Sequence, residues 1–241
     1  MSLYDDMLKH RIFVQRLAGT EAKSIKSYLD NLKEAAKREI AAGTTGRVLQ
    51  EALKSSVKDL KNVAIENMAD IAEYESRFAA KTYSKYFDKK IESVDREKLK
   101  STILKTNIAV STSTKKKSID VAYSQFANRK SAEIVQIIKD AQLQNLDRLT
   151  TFKLVEERIN GLHAAQADTL ARTSVNYSTN VAKNATTEQN SDVIEKEIWV
   201  STLESGTCDY CEGLHGTVFD VGDAPDCPAH WNCACEVIPY V

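Results

Sequence analysis

All five cysteines of the chain lie between Cys208 and Cys235, and two of its four histidines, His215 and His230, lie among them. Cys208 and Cys211 form a C-x-x-C knuckle. After a gap follow Cys227, His230, Cys233 and Cys235, spaced by two, two and one residues. Thiolates and imidazole are the ligands zinc prefers, and two short-spaced pairs separated by a loop suit a structural tetrahedral site. Gly213, Gly216, Gly222, Pro225 and Pro228 supply the turns that return the second pair to the first. Six donors compete for about four places on one ion. Cys208 and Cys211 form one pair; the second draws on His230, Cys233, Cys235 or Cys227. Disulfides or plain buried thiols are the alternatives. The opening stretch MSLYDDMLKHR has no apolar leader core, so we expect synthesis in a reducing compartment, where such spacing favours metal over disulfide.

The pattern argues for a structural ion. A zinc deaminase needs H-x-E beside P-C-x-x-C, but His215 is followed by Gly216-Thr217 and His230 by Trp231-Asn232. H-E-x-x-H, a Walker loop, G-x-S-x-G and a dinucleotide fingerprint are also missing. Four or more Cys/His ligands leave no open position for water. A tail of about fifty residues buries little core by itself, so a metal staple has a clear purpose there.

The elements that carry this tail are of two kinds. All three prolines lie at or beyond Pro225, and only four of eight glycines precede residue 200. Nearly two hundred proline-free residues read as long helices. We expect one helix over 2–18, interrupted at Gly19-Thr20, and a second through Ile25, Leu29, Leu32, Ala36 and Ile40. A turn follows at Gly43 and Gly46. Leu49, Leu53, Val57, Leu60, Ala64, Met68 and Ile71 then recur with an eleven-residue period, which predicts one long helix with a narrow apolar stripe. Further helices are expected near 95–104, from Ser118, from Thr150 to Asn160 with Gly161 as C-cap, and over 163–187. From Ile194 to Thr202 the pattern alternates as a strand does. Thr217–Val221 and Cys235–Tyr240 are two shorter strand candidates. The fold class is therefore mainly α: a long-helix body followed by a small α+β, zinc-stapled C-terminal tail. We divide it into a body of 1–129 and a domain of 130–241, with 191–241 as the tail.

Charge is divided too. Residues 191–241 hold ten acids and one base, while residues 1–190 hold 32 bases and 24 acids. A basic body suits an anionic partner such as nucleic acid, whose phosphates would be contacted without sequence preference. Lys115, Lys116 and Lys117 in the polar run 111–118 are the candidate phosphate contacts; the bland alternative is a solvated loop. No apolar run approaches the ~18 residues of a membrane helix. The narrow helical stripes also point to self-association.

Two stretches together resemble a known family. LARTSVNYSTNVAKNA precedes WVSTLESGTCDYCEGLHGTVF, and the chain closes on PAHWNCACEVIPYV. This order resembles the phage head-morphogenesis family, the Mu F-like minor head proteins, over about residues 130–241. The matching positions are Arg172, Thr173, Trp199, Cys208, Cys211, Gly216, Phe219, Pro228, His230, Cys233 and Cys235. Ser174, Glu204 and Ala234 depart from the family's usual acid, aspartate and arginine, and Cys227 is extra. The resemblance implies a non-enzymatic virion protein, made in the host cytoplasm and docked near the portal or major capsid protein. Its role would be head assembly, with DNA packaging or ejection in addition. The competing class is a zinc-dependent nucleic-acid-binding protein or HNH-like nuclease, which would need an exposed histidine base beside an open metal.

Overall fold

The computed structural model describes residues 2–105, 107–109, 116–202 and 206–241. Helix content is 71%, as the proline-free body requires. The elements in chain order are α1 (Leu3–Ala42), α2 (Gly46–Ser55), α3 (Leu60–Phe87), α4 (Arg96–Lys105), β1 (Asn107–Ala109), β2 (Lys116–Ser118), α5 (Ile119–Leu143), α6 (Arg148–Arg158), a π-helical turn (Ile159–His163), α7 (Ala164–Gln189), β3 (Lys196–Val200), α8 (Asp209–Leu214), β4 (Val218–Asp220) and β5 (Glu236–Pro239). None of these helices is long and apolar enough to cross a membrane.

The chain forms two compact units. One comprises 1–18, 65–119 and 172–241; the other comprises 19–64 and 120–171. In the first, Leu3, Met7, Ala79, Ala80, Tyr83, Ile91, Ile194, Val200 and Ile238 make a continuous core. In the second, Ile25, Leu29, Leu32, Ala36, Leu49, Leu53, Ile134, Ile138 and Val155 are buried. These are the residues that the 3.6-residue period selects for an inner face.

Three helical boundaries differ from expectation. Gly19 does not break α1, which runs through it for 40 residues; one glycine costs a helix only about 1 kcal/mol. The eleven-residue stripe is buried from Leu49 to Met68, but it is not one helix. Residues 56–59 form a tighter turn, with Val57, Lys58 and Leu60 amides each bonded three residues back. There the Ser56 hydroxyl donates to the Leu53 carbonyl at 2.7 Å, competing with the backbone ladder. Gly161 does not cap a helix either. It lies within the π turn, and it has no positive φ such as a C-cap glycine adopts. The chain passes through this turn directly into α7. Gly43, by contrast, ends α1 at φ +69° as the sequence predicts.

The strands fall where alternation placed them. Antiparallel β4, β3 and β5 form one sheet in that order, with Ile198 opposite Val218 on one side and Ile238 on the other. The pairing of β1 with β2, Ile108 opposite Lys117, is a feature the polar run concealed.

Candidate metal centre

The centre lies within the first unit and is built from the sheet, α7 and α8. Cys208 immediately precedes α8 and Cys211 sits one turn in, so the C-x-x-C spacing places both sulfurs on one face of a helical turn. Gly216 follows at φ +79°, a conformation that favours glycine. Its amide donates to the Trp199 carbonyl at 2.9 Å, and the Trp199 amide donates to Thr217 O at 3.0 Å. The knuckle is thereby tied to β3. Cys235 directly precedes β5, which pairs with the other edge of β3.

The thiols converge. His230 Nε2 lies 3.2 Å from Cys208 Sγ and 3.4 Å from Cys211 Sγ, and Cys211 Sγ lies 3.9 Å from Cys233 Sγ. With Zn–S near 2.3 Å and Zn–N near 2.0 Å, a tetrahedron has S···S edges of about 3.8 Å and S···N edges of about 3.5 Å. The observed separations match those edges. His230 Nδ1 lies 2.9 Å from the Trp231 carbonyl. A carbonyl only accepts, so Nδ1 carries the proton and Nε2 turns its lone pair to the sulfurs, the tautomer a metal ligand needs.

Two overlapping groups of donors arise among the described residues: Cys208, Cys211 and His230, and Cys211, Cys233 and Cys235, each with its atoms within 4.8 Å of one another. Trp199 and Val237, at 0% and 2% exposure, pack with Cys227 and the other thiols into an apolar shell. Burial pushes the Cys211 thiol up to about 12, aided by neighbouring Cys233. Hydrogen bonds from Cys227 and Cys235 hold Cys233 well below the ordinary thiol range. At Cys208 burial raises the pKa, but the polar groups of Cys211 and the His230 imidazole outweigh it, so the net shift is downward. All five cysteines are free thiols. The donor set therefore fits a zinc ion in type, distance and shielding.

Sequence reasoning missed what holds this constellation in place. Thr173, Asn176, Asn180 and Lys183 are spaced three, four and three along α7, one helical face. Thr173 Oγ1 accepts from the Asn232 amide at 3.0 Å, where Asn232 adopts φ +63°. Asn176 Nδ2 donates to Cys233 O at 2.7 Å and to Cys235 O at 3.3 Å. Asn180 Nδ2 donates to Cys235 O at 3.1 Å. Lys183 pairs with Glu236. The backbones of Cys233 and Cys235 are thus anchored to this face. The signal was available as a polar stripe in a run of small residues, yet an isolated helix gives no hint of its partner.

The remaining site candidates fall as follows. Cys227 is 7% exposed within the same shell. His215 is not spare: its Nδ1 accepts the Ser201 amide at 3.1 Å. Lys115 lies outside the described residues. Lys116 and Lys117 belong to β2, and Lys117 is half-buried, so at least Lys117 is not on the free loop that the polar run suggested.

The fold and site define a helical protein closed by a small β tail with a Cys/His centre. Residues 136–238 match the family described as Phage Mu protein F like protein. That match bears out the resemblance read from the ordered motifs, and it takes in α7, β3, β4, most of β5 and all six candidate ligands. No curated protein and no solved structure matches the chain with significance.

Proposed function

We propose that this protein is a non-enzymatic minor head component of a tailed bacteriophage, docked at the portal or the inner face of the capsid. The observation that carries this is the coincidence of the family segment with one mechanical device: a face of α7 gripping the backbone of a Cys/His-bearing tail. His215, the residue a nuclease reading would need as base, accepts the Ser201 amide and so holds structure. In this reading residues 130–241 act as the family domain, and one zinc is held by Cys208, Cys211, His230 and Cys233. Cys235, whose Sγ lies 3.4 Å from Ser201 Oγ, stands beside that set. Zinc staples the tail, and coordination energy is folding energy.

The virion placement is tested by mass spectrometry of mature heads and by co-purification with portal protein. Absence from both virions and procapsids rejects it. Contact with packaged DNA is a separable part of the proposal, motivated by the basic 1–190 stretch. Binding should be sequence-independent and fall steeply with salt. Gln at positions Lys115, Lys116 and Lys117 should flatten that dependence, and no binding at low salt rejects this part alone. Metal-dependent nicking of plasmid by the purified chain would favour the nuclease class instead.

A further inference from the structure

We propose that Ser201 is a positioning residue for the metal: without touching the ion, its hydroxyl and amide hold the Cys208–Cys211 knuckle in the geometry that grips it. This rests on reading the tail as a metal centre. It goes beyond that reading because Ser201 belongs neither to the ligand motifs nor to the α7 face.

Ser201 directly follows β3 and is 3% exposed. Its amide donates to His215 Nδ1 at 3.1 Å. Its hydroxyl donates to the Cys211 carbonyl at 2.5 Å. The Trp199 indole Nε1 donates to that same hydroxyl oxygen at 3.1 Å, and Cys235 Sγ lies 3.4 Å from it. One buried residue thereby joins the end of β3 to the knuckle, to the residue that closes α8 and to the Cys-x-Cys segment.

The direction of each bond follows from the groups involved. A hydroxyl has one hydrogen and two lone pairs, an indole N–H only donates, and a backbone carbonyl only accepts. The Ser201 hydrogen is therefore committed to Cys211, and a lone pair receives Trp199. The hydroxyl is locked from both sides.

Helix α8 needs such a lock. It spans six residues, well short of the ~12–15 at which a helix begins to persist on its own. Cys208 is its N-cap and Cys211 lies one turn in, so any tilt of α8 moves both sulfurs together. Ser201 fastens it at Cys211 and at its C-cap, His215. Trp199, which supports the hydroxyl, is 0% exposed and packed among the thiols. Removing a group that orients a ligand from behind in this way weakens metal binding about 10–100-fold.

The test uses the full chain under reducing conditions. Zinc affinity is measured by competition with a chromophoric chelator, and cobalt(II) in place of zinc reports ligand geometry through its visible absorption. Ser201→Ala should bind zinc about 10–100-fold more weakly and alter the cobalt bands. Ser201→Thr keeps the hydroxyl and should return both readings toward wild type. A role confined to packing predicts a different result: Tm falls equally with and without metal, while affinity and bands stay as they were. That result overturns the inference, and so does equal weakening in the alanine and threonine variants. If Ser201→Ala does not fold, Ser201→Thr decides: wild-type affinity and bands uphold the hydroxyl's role, and weakened binding overturns it. Wild-type protein that binds neither zinc nor cobalt removes the metal reading itself, and this inference with it.

Discussion

Replacing Lys183 with methionine tests how the C-terminal strand is held. Lys183 Nζ lies 3.5 Å from Glu75 and pairs with Glu236, and all three side chains are at most 6% exposed. Burial lowers the lysine pKa, but the Glu236 and Glu75 carboxylates more than offset this and the net shift is upward. A raised lysine pKa contributes stability that is complete below its unfolded value and lost only as pH climbs through the folded one. At neutral pH the ion is therefore fully charged. Removing it strands two buried carboxylates, an effect of about 3–5 kcal/mol. Two neighbours soften the loss: His10 Nε2 lies 2.7 Å from Glu75, and Arg11 lies 3.9 Å from Glu236. The lower end, about 3 kcal/mol, is expected. For a chain of this size that lowers Tm by about 6–12 °C. Both tryptophans, Trp199 and Trp231, lie in the first unit, so tryptophan fluorescence reports its unfolding without contribution from the second. Lys183→Met combined with Glu236→Gln should recover part of the loss, because only Glu75, 2.7 Å from His10, is then left without the lysine. A single-variant cost below about 1 kcal/mol, the range of exposed pairs, would refute the argument.

Chelation should release the tail: Trp199, 0% exposed, should shift its emission to the red, and His230→Ala or Cys211→Ser should show that emission before chelator is added; unchanged emission in apo protein counts against a metal-supported fold. Because bound thiolates must be deprotonated, metal retention should weaken as pH falls. Asn180→Ala removes a donor from the Cys235 carbonyl and should cost about 1–3 kcal/mol, read as faster zinc loss to a competing chelator; an unchanged rate would dismiss the α7 face as a clamp. In the second unit, burial lowers the His163 pKa from 6.5, with Lys130 and Arg158 acting the same way and Glu133, 2.8 Å away, opposing. The unfolded chain then binds the proton more readily, so stability is present above pH 6.5 and declines as pH falls below it. Hydrogen exchange of residues 120–171 should show that onset, and His163→Gln should abolish it; an onset confined to the carboxylate range would exclude His163 as its source.

Much of the architecture was written in local terms. Proline absence and 3.6-residue spacing located the helices, because those signals act through neighbouring turns. Alternation located β3, and Cys/His spacing located the metal candidates. The failures have separate causes. Gly19 and Gly161 were judged by intrinsic preferences of about 1 kcal/mol, which burial of a whole helical face overrides. The 56–59 turn interrupts a helix read from periodicity alone, which is blind to the Ser56 hydroxyl bonding back to Leu53. Lys117 was judged by composition, which says nothing about a strand partner in β1.

The sequence by itself determined that the body is helical, that the tail carries thiols and imidazoles at metal spacing, and that the ordered motifs belong with the Mu F-like pattern. Only the tertiary structure decided which sulfurs lie beside His230, that its Nε2 faces them, and that Asn176 and Asn180 grip the Cys-x-Cys backbone while Thr173 holds Asn232 and Lys183 pairs with Glu236. Periodicity and spacing are properties of residues a few positions apart. The pairing of α7 with a segment some fifty to sixty residues later depends on which surfaces fold together, and no local pattern encodes that.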